Sequence, residues 1–366
     1  MEQRDQQVVH GALDYRELEQ LGLSAAEILD FSVNANPYGP SPLVQQTIAQ
    51  VIIDRYPDRE CLELRRTLLS YECCDAPLAL DSILCGNGAT ELIWAIARAL
   101  LQSGSKAAVL GPTFGEYAAA SRALGAQVVE YRAKAEMQFH VDLAEVMTWL
   151  QVERPNILWL CNPNNPTATW LNQQAMSTIA DTCADVGAAL VIDEAYWHFL
   201  IPQESFSAMM LVEKTQATSL IVLRSLTKAY ALAGLRLGYA VSSASVSARI
   251  RQQLPSWNVN SFAQAAGIVA LADRADCSKK LAELAVQRHD FFHMLHMIGL
   301  PFVPSRTNFC LIDVGDARTV RKLLLHKRLL VRDCTSFGLP TYIRVATRQR
   351  DDWQQLLSAL QEIVCH

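Results

Sequence analysis

The sequence predicts an α/β protein: a large portion with a mainly parallel seven-stranded sheet between helices, then a small α+β portion. Three observations lead there. Seven short apolar stretches alternate with helical ones between residues 83 and 241, each of the length expected for a strand covered on both faces. Such alternation is the pattern of a parallel sheet with crossover helices. After about Ser243 the character changes to long helical periodicity, with a few short strands towards the end. Finally, 366 residues at 51% hydrophobic composition exceed one core at about 150 residues per domain, so two domains are expected.

In chain order, a short arm is followed by a predicted helix from Leu18 to Leu29 and an extended, turn-rich segment from Leu29 to Pro40. The strands are expected at Ile83–Cys85, Ala107–Leu110, Gln127–Tyr131, Ile157–Leu160, Ala188–Ile192, Leu220–Leu223 and Leu237–Val241. Helices are expected at Thr90–Leu101 and Gly115–Leu124. Helical periodicity then runs from Ala244 to Gly299. Strands are expected at Asn308–Val314, Leu329–Arg332 and Tyr342–Ala346, and a closing amphipathic helix at Asp351–Val364. The expected division is an arm of residues 1–33 packing with the small domain, a large cofactor-binding domain of 34–243, and a small C-terminal domain of 244–366.

Composition narrows the function. The net charge is −5 with no run of like charges, so neither nucleic acid nor a membrane surface is an expected partner. The opening residues lack the apolar core of a signal peptide and no apolar run reaches about 18 residues, so a cytoplasmic location is expected. Ten cysteines are scattered without a C-x-x-C pair and eight histidines lack ligand spacing; buried thiols and no metal site are expected.

The chemistry concentrates at Leu223–Gly238, where an apolar strand runs into Ser225, Thr227, Lys228 and then Arg236 between glycines. An amine among small and apolar residues is favoured in its neutral form, which can form a Schiff base with a carbonyl compound. Hydroxyls and a guanidinium suit a phosphate. An aldehyde that carries a phosphate is pyridoxal phosphate, which also needs an acidic partner for its ring nitrogen. Asp193, at the end of the strand Val191-Ile192-Asp193, can supply it. Gly86-Asn87-Gly88-Ala89-Thr90-Glu91 joins a strand to a helix and offers backbone amides to the phosphate. Asn165 follows a further strand and Tyr196 the same strand as Asp193, both within reach of a ring oxygen, and Phe114 can stack on a flat ring. Singly, a helix cap, a proline turn or a core phenylalanine would explain each.

At these residues the chain resembles the fold-type I pyridoxal-phosphate enzymes of the aminotransferase class I/II superfamily, over nearly its whole length. The resemblance implies that Lys228 bonds the cofactor aldehyde and Asp193 its ring nitrogen. It gives the ring oxygen to Asn165 and Tyr196 and the ring face to Phe114. The phosphate would fall to Gly88, Ala89, Thr90, Ser225, Thr227 and Arg236. Arg55-Tyr56-Pro57-Asp58 resembles the segment whose tyrosine reaches the neighbouring subunit's phosphate, so Tyr56 implies a homodimer with shared active sites. Thr167-Ala168 stands where the family usually has Thr-Gly.

Two branches of the superfamily are similar to the chain. The histidinol-phosphate aminotransferases resemble it at Ala231–Arg236 and Val331-Arg332-Asp333. The threonine-phosphate decarboxylases, which make the aminopropanol phosphate of the cobalamin side chain, resemble it at His10-Gly11, Leu29–Pro37, Arg224–Lys228 and Trp257–Ser261. Ala12 and Ala233 depart from the decarboxylases' usual glycine and proline. A small phosphorylated amino acid is the expected substrate, held by His10, Asn34, Asn165, Arg332 and Arg344. Arg344 holding a carboxylate in the ring plane would lead to transamination. Arg332, His10 and Asn34 holding a phosphate, with the carboxylate upright, would lead to loss of carbon dioxide.

Overall fold

The computed structural model describes residues 10–76, 78–200, 206–212 and 219–364; the first nine residues of the expected arm lie outside these. The arm carries α1 (Tyr15–Leu21) and a short strand, β1 (Leu29–Asp30). The helix expected from Leu18 to Leu29 is corrected here. It begins at the Asp14 cap, whose carboxylate accepts from two backbone amides, and stops at Gly22 in the left-handed conformation (φ 64°).

Next come α2 (Pro42–Ile48), α3 (Leu62–Tyr71), β2 (Ile83–Asn87), α4 (Gly88–Leu100), β3 (Lys106–Gly111), α5 (Glu116–Ala123), β4 (Gln127–Arg132), α6 (Leu143–Glu153), β5 (Ile157–Cys161), α7 (Gln173–Val186), β6 (Ala189–Asp193), β7 (Leu220–Ser225) and β8 (Leu237–Ser242). The remainder is α8 (Ala244–Arg251), α9 (Ser261–Ala272), α10 (Arg274–Met297), β9 (Phe302–Val303), β10 (Phe309–Asp313), α11 (Ala317–His326), β11 (Leu329–Leu330), β12 (Arg332–Asp333), β13 (Tyr342–Ala346) and α12 (Arg350–Val364).

The seven expected strands form one sheet in the order β2-β8-β7-β6-β5-β3-β4. Every pairing is parallel except those of β8, which runs antiparallel to both neighbours. Because side chains alternate along a strand, each strand feeds two cores. Leu158, Leu160, Leu190, Ile192 and Val222 enter one; Ile157, Trp159, Val191, Ile221 and Leu223 enter the other. Both faces of the inner strands are covered, which explains their apolar runs, whereas the edge strand β4 is partly exposed and keeps Gln127, Glu130 and Arg132.

A second sheet, antiparallel, runs β12-β13-β10-β9 and packs with Phe291, Leu295, Trp353 and Leu356 of α10 and α12. The expected strand Leu329–Arg332 is two shorter pieces. Leu329–Leu330 pairs in parallel with Leu29–Asp30 of the arm, whereas Arg332–Asp333 pairs with β13. Glu17 clamps Arg321 of α11 through both guanidinium nitrogens, at 2.6 and 2.7 Å. Among the described residues the cysteines are unbonded and, Cys74 apart, buried, and no helix is long and apolar enough to cross a membrane. No described group of His, Cys, Asp and Glu could hold a metal ion.

Candidate active site

Sheet register brings the strand-end motifs to one edge. Cys161 and Asp193 are neighbours at the ends of β5 and β6, and Asp193 pairs with Leu223 of β7. Antiparallel β8 starts at this same edge, with Gly238 paired to Ser225 on one side and to Gly86 on the other. Segments far apart in sequence therefore open into one crevice, at the carboxyl ends where open α/β sheets bind ligands.

Lys228 sits in the turn after β7, part-buried, and its carbonyl accepts from the amide of Asn36 at 2.9 Å. Asn36 Nδ2 also donates to the carbonyl of Ala229 at 3.0 Å, so the extended segment before Pro40 pins this turn. Burial, reinforced by the Arg344 and Arg236 charges, pushes the Lys228 amine down to about 8, while Asp193 pulls the other way. An ammonium that loses its proton near neutrality is suited to nucleophilic and acid–base work.

Asp193 is buried, and its carboxylate accepts from Tyr117 Oη at 2.8 Å and from the Ala195 amide at 2.9 Å. Burial raises its pKa, only partly offset by these donors and by the Lys228 charge. A carboxylate so placed gains from a further cation. Tyr117 lies in α5, stacks on Trp159 at 5.4 Å and carries the ring of Phe114 edge-on at 5.7 Å. His10 packs against Phe114 at 5.6 Å, with Nε2 2.9 Å from Glu116 Oε1. That contact stations His10 beside the expected ring stacker.

At the β2 end, Gly88 starts α4 with φ 77°, and the Asn87 side chain makes no capping bond to the helix. The Asn87 amide is taken by Glu91 Oε2 at 2.7 Å, which Asn258 Nδ2 also bonds at 2.7 Å. Ser225 Oγ and Thr227 Oγ1 are buried and 2.7 Å apart. Two glycines keep this place open. A Cβ on Gly88 would fall 2.7 Å from Arg236 Nη2, and one on Gly238 would fall 2.6 Å from the Ala89 nitrogen. Arg236 is exposed, with Nη1 on the Ala233 carbonyl at 3.3 Å. Hydroxyls, a helix N-terminus and a guanidinium thus converge on a space of phosphate character.

The opposite wall is basic. Arg332 and Arg344 are direct register partners on β12 and β13, and both are buried. Like charges placed opposite one another repel, which favours an anion between or beside them. Burial, then Arg344, lowers the Arg332 pKa to about 10. Arg344 donates to Asn165 Oδ1 and, at 2.5 Å, to the Ser32 carbonyl, while its Nε has no partner. Arg332 Nη2 donates to Ser336 Oγ at 2.6 Å. Asn34 is buried, with Nδ2 3.5 Å from Tyr196 Oη and Oδ1 unpartnered. Tyr56 stands apart from this crevice: it is 80% exposed and stacked on Trp257 at 4.7 Å.

The family model "Aminotransferase class I and II" matches residues 26–360. The chain belongs to this family. It is 32% identical over 350 residues to a histidinol-phosphate aminotransferase of Caldicellulosiruptor saccharolyticus, covering 94% of each protein. The structure of L-threonine-O-3-phosphate decarboxylase from Porphyromonas gingivalis superposes with TM-score 0.77 at 25% identity, covering 92% of this chain and 99% of that one. The histidinol-phosphate aminotransferase of Sinorhizobium meliloti, solved with pyridoxal-5'-phosphate, shares the fold at TM-score 0.83 and 23% identity, over 95% and 93% of the chains.

As a class I/II aminotransferase-family enzyme of fold type I, the chain uses pyridoxal 5'-phosphate. Its residues fit that group. The glycine-lined cradle offers a helix N-terminus, two hydroxyls and a guanidinium to a phosphate, and Asp193, whose burial Lys228 offsets only in part, would gain from a protonated ring nitrogen. Asn165 Oδ1 is engaged by Arg344, which leaves its Nδ2 for the ring oxygen. Ala12 and Ala168, the two alanines standing where glycine is usual, both keep positive φ, 114° and 58°, the conformation in which glycine costs least. Sequence reasoning missed Tyr117, because a tyrosine on an apolar helix face reads as core. It also missed the Arg332–Arg344 juxtaposition, which exists only through strand register.

Proposed function

We propose that the chain decarboxylates L-threonine O-3-phosphate to (R)-1-aminopropan-2-yl phosphate, a step of cobalamin side-chain assembly. One observation supports this reading above others: two buried guanidiniums, Arg332 and Arg344, are register partners, a pairing suited to a substrate that bears two anions. Bound pyridoxal phosphate supplies the electron sink for the pair left at Cα, and weakens the one Cα bond standing perpendicular to its ring.

The chain's residues select that bond. Asp193 would keep the ring nitrogen of the bound cofactor protonated, and Phe114 would shield one ring face from water. Arg332, with Asn34 and the His10 arm, takes the substrate phosphate, so binding energy remote from the reacting carbon turns the carboxylate upright. Gly11 supports this placement: a Cβ there would lie 2.4 Å from the Ser32 carbonyl and 3.2 Å from Arg344 Nη2, so the arm closes against the arginine only with glycine. Lys228, with a pKa of about 8, returns a proton to Cα after carbon dioxide leaves.

The second reading is transamination of histidinol phosphate, favoured by the name of the Caldicellulosiruptor relative at 32% identity. Arg344 would then hold the carboxylate of glutamate in the ring plane. Incubation with each substrate separates them. Carbon dioxide and aminopropanol phosphate released from threonine phosphate support decarboxylation; glutamate formed from 2-oxoglutarate and histidinol phosphate, without carbon dioxide, overturns it.

The exposed Tyr56, stacked on Trp257 amid exposed Ile52 and Ile53, is taken to reach a second subunit's site. Sedimentation of the purified protein should give a dimer, and a monomer with full cofactor affinity would contradict this.

A further inference from the structure

Glu72 belongs to no motif and follows the last residue of α3, yet its side chain is only 6% exposed. Four donors converge on the carboxylate. Tyr230 Oη donates to Oε1 at 2.6 Å. His198 Nε2 at 2.8 Å, Tyr239 Oη at 2.9 Å and Arg224 Nη1 at 3.4 Å all meet Oε2. Burial alone would raise its pKa, but His198, Arg224 and Tyr230 carry it well below the usual carboxylate range. The group is therefore a fixed charge.

Each donor neighbours a residue of the cofactor site. Tyr230 lies two positions after Lys228, His198 two after Tyr196, Arg224 directly before Ser225 and Tyr239 directly after Gly238. Arg224 is also clamped to Glu194, the residue after Asp193, and stacks over the Trp197 ring at 3.8 Å. Four separate segments thus share one acceptor.

We propose that Glu72 is a positioning residue for the cofactor lysine. By drawing these donors onto one carboxylate, it fixes the Lys228 turn against the ends of β6, β7 and β8. A carboxylate accepts at both oxygens and carries the charge that His198 and Arg224 meet. An amide of the same shape is neutral and would have to donate to the Tyr230 hydroxyl in place of accepting from it. The inference concerns the cofactor site and holds for either substrate reading.

Holoenzyme carrying Glu72→Gln or Tyr230→Phe tests it. The second variant removes one hydroxyl and leaves the charged cluster in place. Both are expected to lose cofactor on dialysis about tenfold faster and to shift the pH midpoint of the bound cofactor's visible absorbance. On whichever substrate turns over, kcat should fall about tenfold with KM within about twofold. Variants that melt lower but keep cofactor retention, absorbance midpoint and kcat within about twofold would show a structural role only and overturn the proposal. Should Glu72→Gln fail to fold, Tyr230→Phe decides on the same readouts.

Discussion

Methionine in place of Lys228 removes an amine that folding carries into a partly desolvated place, so its effect is readable in stability as well as in chemistry. Burial, then the Arg344 and Arg236 charges, depresses the amine from 10.5 to about 8. At ~1.4 kcal/mol per pKa unit this corresponds to about 3 kcal/mol, an upper bound because part of the side chain meets solvent. Below pH 8 the folded and unfolded chains both hold the proton, and the folded state carries the whole cost. Between pH 8 and 10.5 the unfolded chain binds a proton that the folded chain lacks, so stability rises with pH. Above 10.5 both are neutral and the cost is gone. Cofactor-free Lys228→Met is therefore expected to be more stable than the parent by about 2–3 kcal/mol at pH 7, with the gap closing as pH approaches 10.5. Urea unfolding of both proteins across this range measures it. A gap that does not change with pH, or a variant less stable at pH 7, would refute the reasoning.

Three further outcomes follow from the same geometry. At Ala168, buried with φ 58°, relief of ~1–2 kcal/mol of left-handed strain offsets a lost buried methyl and added unfolded-chain freedom, each about 0.5–1 kcal/mol. Ala168→Gly should leave the urea midpoint nearly unchanged, while Ala95→Gly in the buried face of α4 lowers stability by about 1–2 kcal/mol; equal losses would contradict this. Gly88→Ala drives a methyl against Arg236 and forces alanine to positive φ, so cofactor affinity in a fluorescence titration should drop about tenfold or more, and an unchanged affinity would exclude a phosphate there. Tyr117→Phe removes the 2.8 Å bond to Asp193 and lets burial raise that carboxyl further. A charge-assisted bond is worth ~1.5–3 kcal/mol, so the same titration should weaken about tenfold or more; no change would mean that Tyr117 serves packing alone.

Much of the fold was readable because the inner strands are apolar on both faces, and the termini of β5, β6 and β7 carry candidate site residues. Lys228, Asp193 and Gly88 could be picked out as candidates since each stands at or just beyond a strand's end and each residue type has a chemical reason to be there. The reversed direction of β8 could not, because an apolar strand has no direction in its composition. The helix expected from Leu18 overran because periodicity was weighed above Gly22, a stop signal that the structure obeys. Glu72 left no trace in local sequence. Its four partners come from positions 198 to 239, and only the sheet assembles them.

The proposed site is organised around one amine, Lys228, that would capture the cofactor aldehyde, and reduction of the holoenzyme with borohydride tests this most directly. Peptide mapping should then find the reduced cofactor's mass on Lys228 alone, with the visible absorbance lost on reduction and absent in Lys228→Met. A label on another lysine, or cofactor released intact after reduction, would contradict the account.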